Sequence, residues 1–176
     1  RNGILDHAIK ELCRLYVSRS VQCEFCGNQR SVKSTTSGAL IEDHVLDLLN
    51  FENSKLYNER QKAALAYDEV IRGGGQTAAL IVSLRAWLGD TAMMAYLAMM
   101  TARLIELRRV LKTTGSLYLH CDPTASHYLK LILDAIFTHQ FYRNEVIWKR
   151  TGSHGGSKRW GPVHDTILFY TASDKY

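Results

Sequence analysis

Proline is almost missing from this sequence: Pro123 and Pro162 are the only two in 176 residues, and both lie in the second half. Proline removes a backbone donor and breaks helices, so a first half without it is free to be helical nearly throughout. Long hydrophobic runs are missing too. The longest apolar stretches, Thr77 to Leu84 and Ala92 to Met100, are too short or too interrupted to cross a bilayer, so no membrane span and no membrane partner are expected. Cysteine is limited to Cys13, Cys23, Cys26 and Cys121, with no secretory leader and no disulfide-rich spacing; this points to a reducing compartment and a cytoplasmic location. Acidic residues are in deficit, 17 against 22 Lys and Arg, and the formal charge of +5 favours approach to a polyanion such as nucleic acid. The first residue is Arg1 rather than Met, which leaves room for an upstream segment.

With 46% hydrophobic residues, the chain has enough apolar material for a core and room for one domain or one and a half. Ile4, Leu5, Ala8, Ile9, Leu12, Leu15 and Tyr16 recur at helical spacing and predict an amphipathic helix over 4–18. Cys23 to Gly38 lacks a sustained period and reads as a loop or small hairpin. Helical spacing returns with Leu40, Ile41, Val45, Leu48 and Leu49. A further helix is predicted from Lys55 to Ile71, halted by Gly73-Gly74-Gly75, with Thr77 as cap of the next.

Asp90 and Thr91 are suited to the N-cap of a long helix, whose stripe is Met93, Leu97, Met100, Leu104, Leu107 and Leu111. Gly115 is placed for a left-handed turn after it. Ser116 to His120 reads as a buried parallel strand that Asp122-Pro123 breaks, followed by a helix through Phe137 with Tyr128, Leu129, Ile132, Leu133 and Ile136 on its apolar side. Strands at Glu145 to Lys149 and Asp165 to Tyr170 complete the pattern. The fold class expected is therefore α/β: helix, strand, helix, strand, strand over 91–176, preceded by a mainly helical segment over 1–90. Such strand, helix, strand units build doubly wound parallel sheets, whose ligands gather beyond the strand C-termini.

The words themselves carry a resemblance. Val110-Leu111-Lys112-Thr113-Thr114-Gly115-Ser116-Leu117-Tyr118-Leu119-His120-Cys121-Asp122-Pro123-Thr124-Ala125-Ser126-His127-Tyr128-Leu129-Lys130 resembles the fifth-strand region of site-specific adenine DNA methyltransferases, in particular the modification subunits of type III restriction systems. Phe141 to Arg150 is similar to that family's sixth strand and His164 to Tyr170 to its seventh, while Tyr96 to Leu107 is similar to the preceding helix. The resemblance covers residues from about 91 to 176. It implies part of a Rossmann-like methyltransferase sheet, S-adenosylmethionine as cofactor, DNA as substrate, and as partners the remaining methyltransferase segments or a restriction subunit. Two words of the family are not in this sequence: Asp-Pro-Pro or Asn-Pro-Pro followed by an aromatic, and Phe-x-Gly-x-Gly. Asp122-Pro123-Thr124 lacks the second proline and the aromatic. No catalytic or cofactor-binding residue is assigned, and the resemblance implies a fragment or truncated homologue that is inactive alone.

Two groups of residues are candidates for a site. His120, Asp122, Thr124, Ser126 and His127 fall where a strand C-terminus meets a helix N-terminus, a place suited to polar ligands, and are read as the rim of a target-base pocket. The plainer alternative is that Asp122 and Thr124 cap the helix while His120 packs in the sheet. Residues 143 to 160 hold Arg143, Lys149, Arg150, Lys158 and Arg159 against one acid, Glu145. Among them Trp148, Lys149, Arg150, Lys158, Arg159 and Trp160 suit DNA contact, cations for phosphates and aromatics for an unpaired base. The alternative is a core Trp148 and a solvated loop over 151–161. Cys23-Glu24-Phe25-Cys26-Gly27 is half of a zinc knuckle without a second half, so no metal site is assigned, although a zinc-binding helical protein stands as a third reading. A noncatalytic DNA-binding or interaction module on a methyltransferase-like scaffold is the second.

Overall fold

The computed structural model describes residues 7–20, 22, 24, 28–32, 36–38, 40–152, 155–156 and 158–176. They fall into two compact units, one of Arg1–Gly74 with Ile81–Ala102, the other of Gly75–Leu80 with Arg103–Tyr176.

The first unit is helical among its described residues. Helix α1 (His7–Ser20) buries Ile9, Leu12, Leu15 and Tyr16, the stripe that its spacing predicts; Ile4 and Leu5 lie outside the described residues. None of the described residues between 23 and 38 is in a strand, and Cys23 and Cys26 lie outside them. A short α2 (Glu42–Leu46) and a 3-10 turn (Leu48–Asn50) bury Leu40, Val45 and Leu48 but leave Ile41 and Leu49 exposed. Helix α3 (Glu59–Gly73) starts at a reciprocal cap, where Asn58 accepts from Gln61 N–H at 3.0 Å and the Gln61 side chain accepts from Asn58 N–H at 2.9 Å. It stops at Gly74, whose φ of +68° only glycine adopts without strain. Helix α4 (Gly75–Leu88) follows at once, two residues before the Thr77 cap expected for it, and the Thr77 hydroxyl donates instead to the Ala135 carbonyl.

Helix α5 (Ala92–Val110) opens where Thr91 Oγ1 accepts from Met94 N–H at 3.3 Å. Its buried residues are Met94, Leu97, Ala98, Thr101, Ala102 and Leu104; Leu97 and Leu104 belong to the expected stripe, while Leu107 is exposed. Thr101 satisfies its buried hydroxyl on the Leu97 carbonyl.

In the second unit, strands β1 (Ser116–Cys121), β2 (Tyr142–Lys149) and β5 (His164–Thr171) form one sheet in the order β1-β5-β2. Two-residue strands β3 (Gly155–Gly156) and β4 (Arg159–Trp160) pair within the β2–β5 connection. Each of β1 and β2 is antiparallel to β5, so they run in the same direction, as a strand, helix, strand unit requires, with β5 inserted between them. The expected buried parallel strand is thereby corrected. Among the described residues β1 pairs only with antiparallel β5, and its side chains alternate between exposed and half-buried as far as Cys121.

Gly115 also has a different reason from the left-handed turn expected. It is not among the positive-φ residues; a Cβ there would lie 2.6 Å from Leu111 Cδ1 and 2.9 Å from the Lys112 carbonyl, so only glycine fits the approach. Its own carbonyl accepts from Ala172 N–H at 2.9 Å and starts the sheet.

Helix α6 (Pro123–Phe137) covers one sheet face. Asp122 Oδ1 accepts from Ala125 N–H at 3.0 Å and Pro123 takes the first helical position, a strong start signal. Leu129, Ile132, Leu133 and Phe137 are fully buried, each contributing about 1.5–3 kcal/mol. A polar knot then fixes the helix to β5: Tyr170 donates to Asp134 Oδ1 at 2.7 Å, Lys130 bonds both Asp134 oxygens, and Lys130 Nζ sits 4.2 Å from the Tyr142 ring. Burial, then Asp134, pushes the Tyr170 phenol well above its ordinary value.

Candidate functional site

The strand directions decide where the candidate residues meet. Cys121 pairs with Thr166 and Lys149 with His164, so the C-terminal ends of β1 and β2 lie beside the N-terminal end of β5. Both sequence groups, the rim after β1 and the basic residues after β2, therefore reach one end of one sheet. That is the end where ligands of doubly wound sheets gather.

Alternation along the strands sorts the side chains further. His120, Trp148 and Asp165 share the sheet face opposite the one that Cys121 and Lys149 occupy, and Trp148 is the register partner of Asp165. Asp165 is only 7% exposed. Its Oδ2 lies 3.0 Å from His120 Nε2, and because a carboxylate only accepts, Nε2–H is the donor. Its Oδ1 lies 3.1 Å from Arg150 Nη1, close enough to pair in charge but out of line, so it accepts no hydrogen bond. One buried acid thus ties side chains from two flanking strand ends.

Both partners keep open faces. The His120 side chain is 59% exposed, against the expectation that it packs in the sheet, and that of Arg150 is 47% exposed. Arg150 is also held through its main chain, whose N–H donates to the Val163 carbonyl at 2.9 Å. Trp148, 58% exposed, is no core residue, and Lys149 and Lys158 are exposed. Arg159 and Trp160 are described only as backbone in β4; their side chains lie outside the described residues.

The other rim residues divide. Asp122 is the helix cap already described, while Thr124 and His127 are exposed in the first turn of α6. Ser126 is buried and donates to the Pro123 carbonyl at 3.3 Å, so the structure turns it into its own helix and away from the rim. Arg143 belongs to the opposite end of the sheet, where Thr171, Ser173 and Asp174 take its donors. The basic segment read as one footprint is split between the two ends.

Asp165 is the residue that sequence reasoning missed. Its signal was an acid at the start of a strand whose middle, Ile167 to Tyr170, is apolar; such an acid rarely buries without a partner. Cys121 beside it is no nucleophile: burial, with Asp122, Glu145 and Asp165 adding to it, pushes the thiol up to about 11.

The first unit has a separate feature, a groove of about 860 Å³ lined by Tyr67, Asp68, Met94, Ala95, Ala98 and Met99 among others. Arg85 spans it by pairing with Asp90 at 3.1 Å and lying 4.6 Å over the Tyr67 ring. The Cys13 thiol at its wall is pushed up to about 12, mainly by burial. Among the described residues no three His, Cys, Asp or Glu side chains gather as a metal site, and no helix is long and apolar enough to cross a membrane.

Comparison with known proteins places these elements. Residues 54–176 match the family described as "DNA methylase", a span that begins well upstream of the resemblance legible from about residue 91. A curated relative, the Type II methyltransferase M.EcaI of Enterobacter cloacae, is 32% identical over 83 residues; the match takes in 47% of this chain and 18% of the relative's length.

Proposed function

Since the chain belongs to the DNA methylase family, we propose that the ligand end of its sheet is part of the DNA-facing surface of an enzyme that methylates the exocyclic amine of adenine. The observation that carries this is the convergence of His120, Trp148 and Arg150 on the C-terminal ends of β1 and β2, with Lys149 exposed on the other face of the same end. Cations there neutralise phosphates and release counterions, and an exposed indole is available to stack on an unstacked base.

The chemistry itself demands more. An adenine amine is a weak nucleophile because its lone pair is delocalised into the ring, so it must be flipped out and held by acceptors in line with the methyl donor. The family as a whole uses S-adenosylmethionine. Among the described residues, the ligand end of the sheet does not fit that cofactor: β1 runs through Cys121-Asp122-Pro123 straight into α6, with no glycine-rich turn for close backbone approach, and Asp165 is already engaged by His120 and Arg150. No step is assigned to the cofactor here, and residues 1–176 by themselves are expected to transfer no methyl groups. Turnover of tritiated methyl groups into duplex DNA above background by the purified chain would contradict this; salt-sensitive DNA binding without turnover is the expected result.

The missing Asp-Pro-Pro-aromatic word favours one second reading, a noncatalytic DNA-binding module on the same scaffold. If methyl transfer stays absent when the relative's remaining segments are supplied in trans, while DNA binding persists, that second reading replaces the first.

A further inference from the structure

Resting on the reading of the sheet end as a DNA face, we propose that Asp165 is a positioning residue that fixes Arg150 for contact with a single DNA phosphate, braced from the opposite side by His120. A carboxylate buried this far is retained only if its charge is compensated. Here the compensation is divided: Oδ2 goes to His120 on β1, and Oδ1 goes to Arg150 beyond β2.

The division matters. Oδ2 is taken by the imidazole N–H, and the guanidinium approaches Oδ1 with Nη1 at 3.1 Å. Arginine carries five N–H donors in a planar fork, and a charge pair in which Oδ1 accepts no hydrogen bond leaves donors of that fork for another acceptor. Nearly half of the Arg150 side chain faces solvent, and its main chain is pinned to Val163. A guanidinium held at both ends before the ligand arrives loses little freedom on binding, which is how preorganisation raises affinity. The absent hydrogen bond at Oδ1 belongs to the same picture, because a bidentate pair would have taken two of the donors that Arg150 keeps for a ligand. A phosphodiester oxygen pair matches the remaining fork, and exposed Trp148, opposite Asp165 in register, flanks the place where a displaced base would stack.

Simple repulsion says that neutralising an acid on a DNA face tightens binding; positioning says that it weakens it. The test uses the whole chain with a mixed-sequence duplex, measuring affinity across salt concentrations and thermal unfolding of each variant. Asp165→Asn is expected to weaken binding roughly tenfold, the scale of one charge-assisted hydrogen bond. Arg150→Ala should cost about the same and flatten the salt slope by about 1, and the double variant should lose little more than either. Arg150→Lys guards against misfolding of Asp165→Asn, since it keeps the charge but not the fork and should bind DNA as weakly as Arg150→Ala. Asp165→Asn binding as tightly as the wild type or tighter, or Arg150→Lys matching the wild type, overturns the clamp while leaving the DNA face standing. A wild-type chain without salt-dependent DNA binding removes the DNA face and the clamp together.

Discussion

The end of the β1-β5-β2 sheet and the groove in the helical unit handle charge in opposite ways. In the groove the charged groups close on each other: Arg85 pairs with Asp90 and lies over Tyr67, and burial raises the Asp68 carboxyl. The groove encloses about 860 Å³. At the sheet end one buried acid serves His120 and Arg150, and both retain exposed surface. Volume suits a small apolar molecule; charge held in place yet left open suits a polyanion. The sheet end, not the groove, is the functional candidate.

The largest expected effect tests whether that contrast survives damage to each unit's core. Leu133→Ala under the sheet and Leu15→Ala in the helical unit should each cost about 2–5 kcal/mol in denaturant unfolding, as fully buried leucines do. Their consequences for DNA should differ: Leu133→Ala also weakens DNA binding by the folded protein, while Leu15→Ala does not. Equal losses of affinity would erase the distinction. Next in size is Trp148→Ala, which should remove about 1–3 kcal/mol of single-stranded DNA binding, the worth of one stacked base. Tyr67→Ala in the groove should change nothing in the same titration.

Much of the sheet unit was legible in the sequence. Asp122-Pro123 and the run from Leu129 to Phe137 specify α6 locally, through a cap, a rigid first residue and a 3.6-residue period. The three strands were placed correctly within a few residues. What was not legible depends on partners distant in the chain. Nothing around Ser116–Cys121 tells that β5, some 45 residues on, takes the place beside it antiparallel. The role of Asp165 is invisible for the same reason, since its partners lie 45 and 15 residues away and only the register joins them. The α5 stripe was only partly placed because the helix is nearly all apolar from Ala92 to Met100 and gives no sharp periodic signal there, and tertiary contacts chose Met94 over Met93.

A pH experiment sharpens the comparison on the groove side. Burial raises the Cys13 thiol from 9.0 to about 12. Below the ordinary thiol value both folded and unfolded chains are protonated, and the folded state has its full stability. Above it the unfolded chain sheds a proton that the folded one keeps, so stability falls as pH rises from about 9 towards 12. Cys13→Ala should flatten that decline in thermal unfolding, and a decline of unchanged steepness would show that Cys13 is not ionising as a buried thiol. The smallest effect belongs to Thr138, which ends α6 at φ +68° and ψ 146°, a conformation suited to glycine. Thr138→Gly should raise stability by about 0.5–1 kcal/mol, the relief of strain exceeding the added freedom of the unfolded chain. A lower unfolding midpoint would show that the strain is not there.

The most direct test is a salt titration of duplex-DNA affinity for two neutralised variants of the whole chain. Replacing Lys149, Arg150 and Lys158 together by Ala should flatten the slope of log affinity against log salt by about 2 to 3, as lost phosphate contacts do. Replacing Lys10 and Arg60 at the groove should leave that slope as in the wild type. Equal flattening in both would mean that DNA senses only the overall charge of +5 and that the sheet end has no special part in binding it.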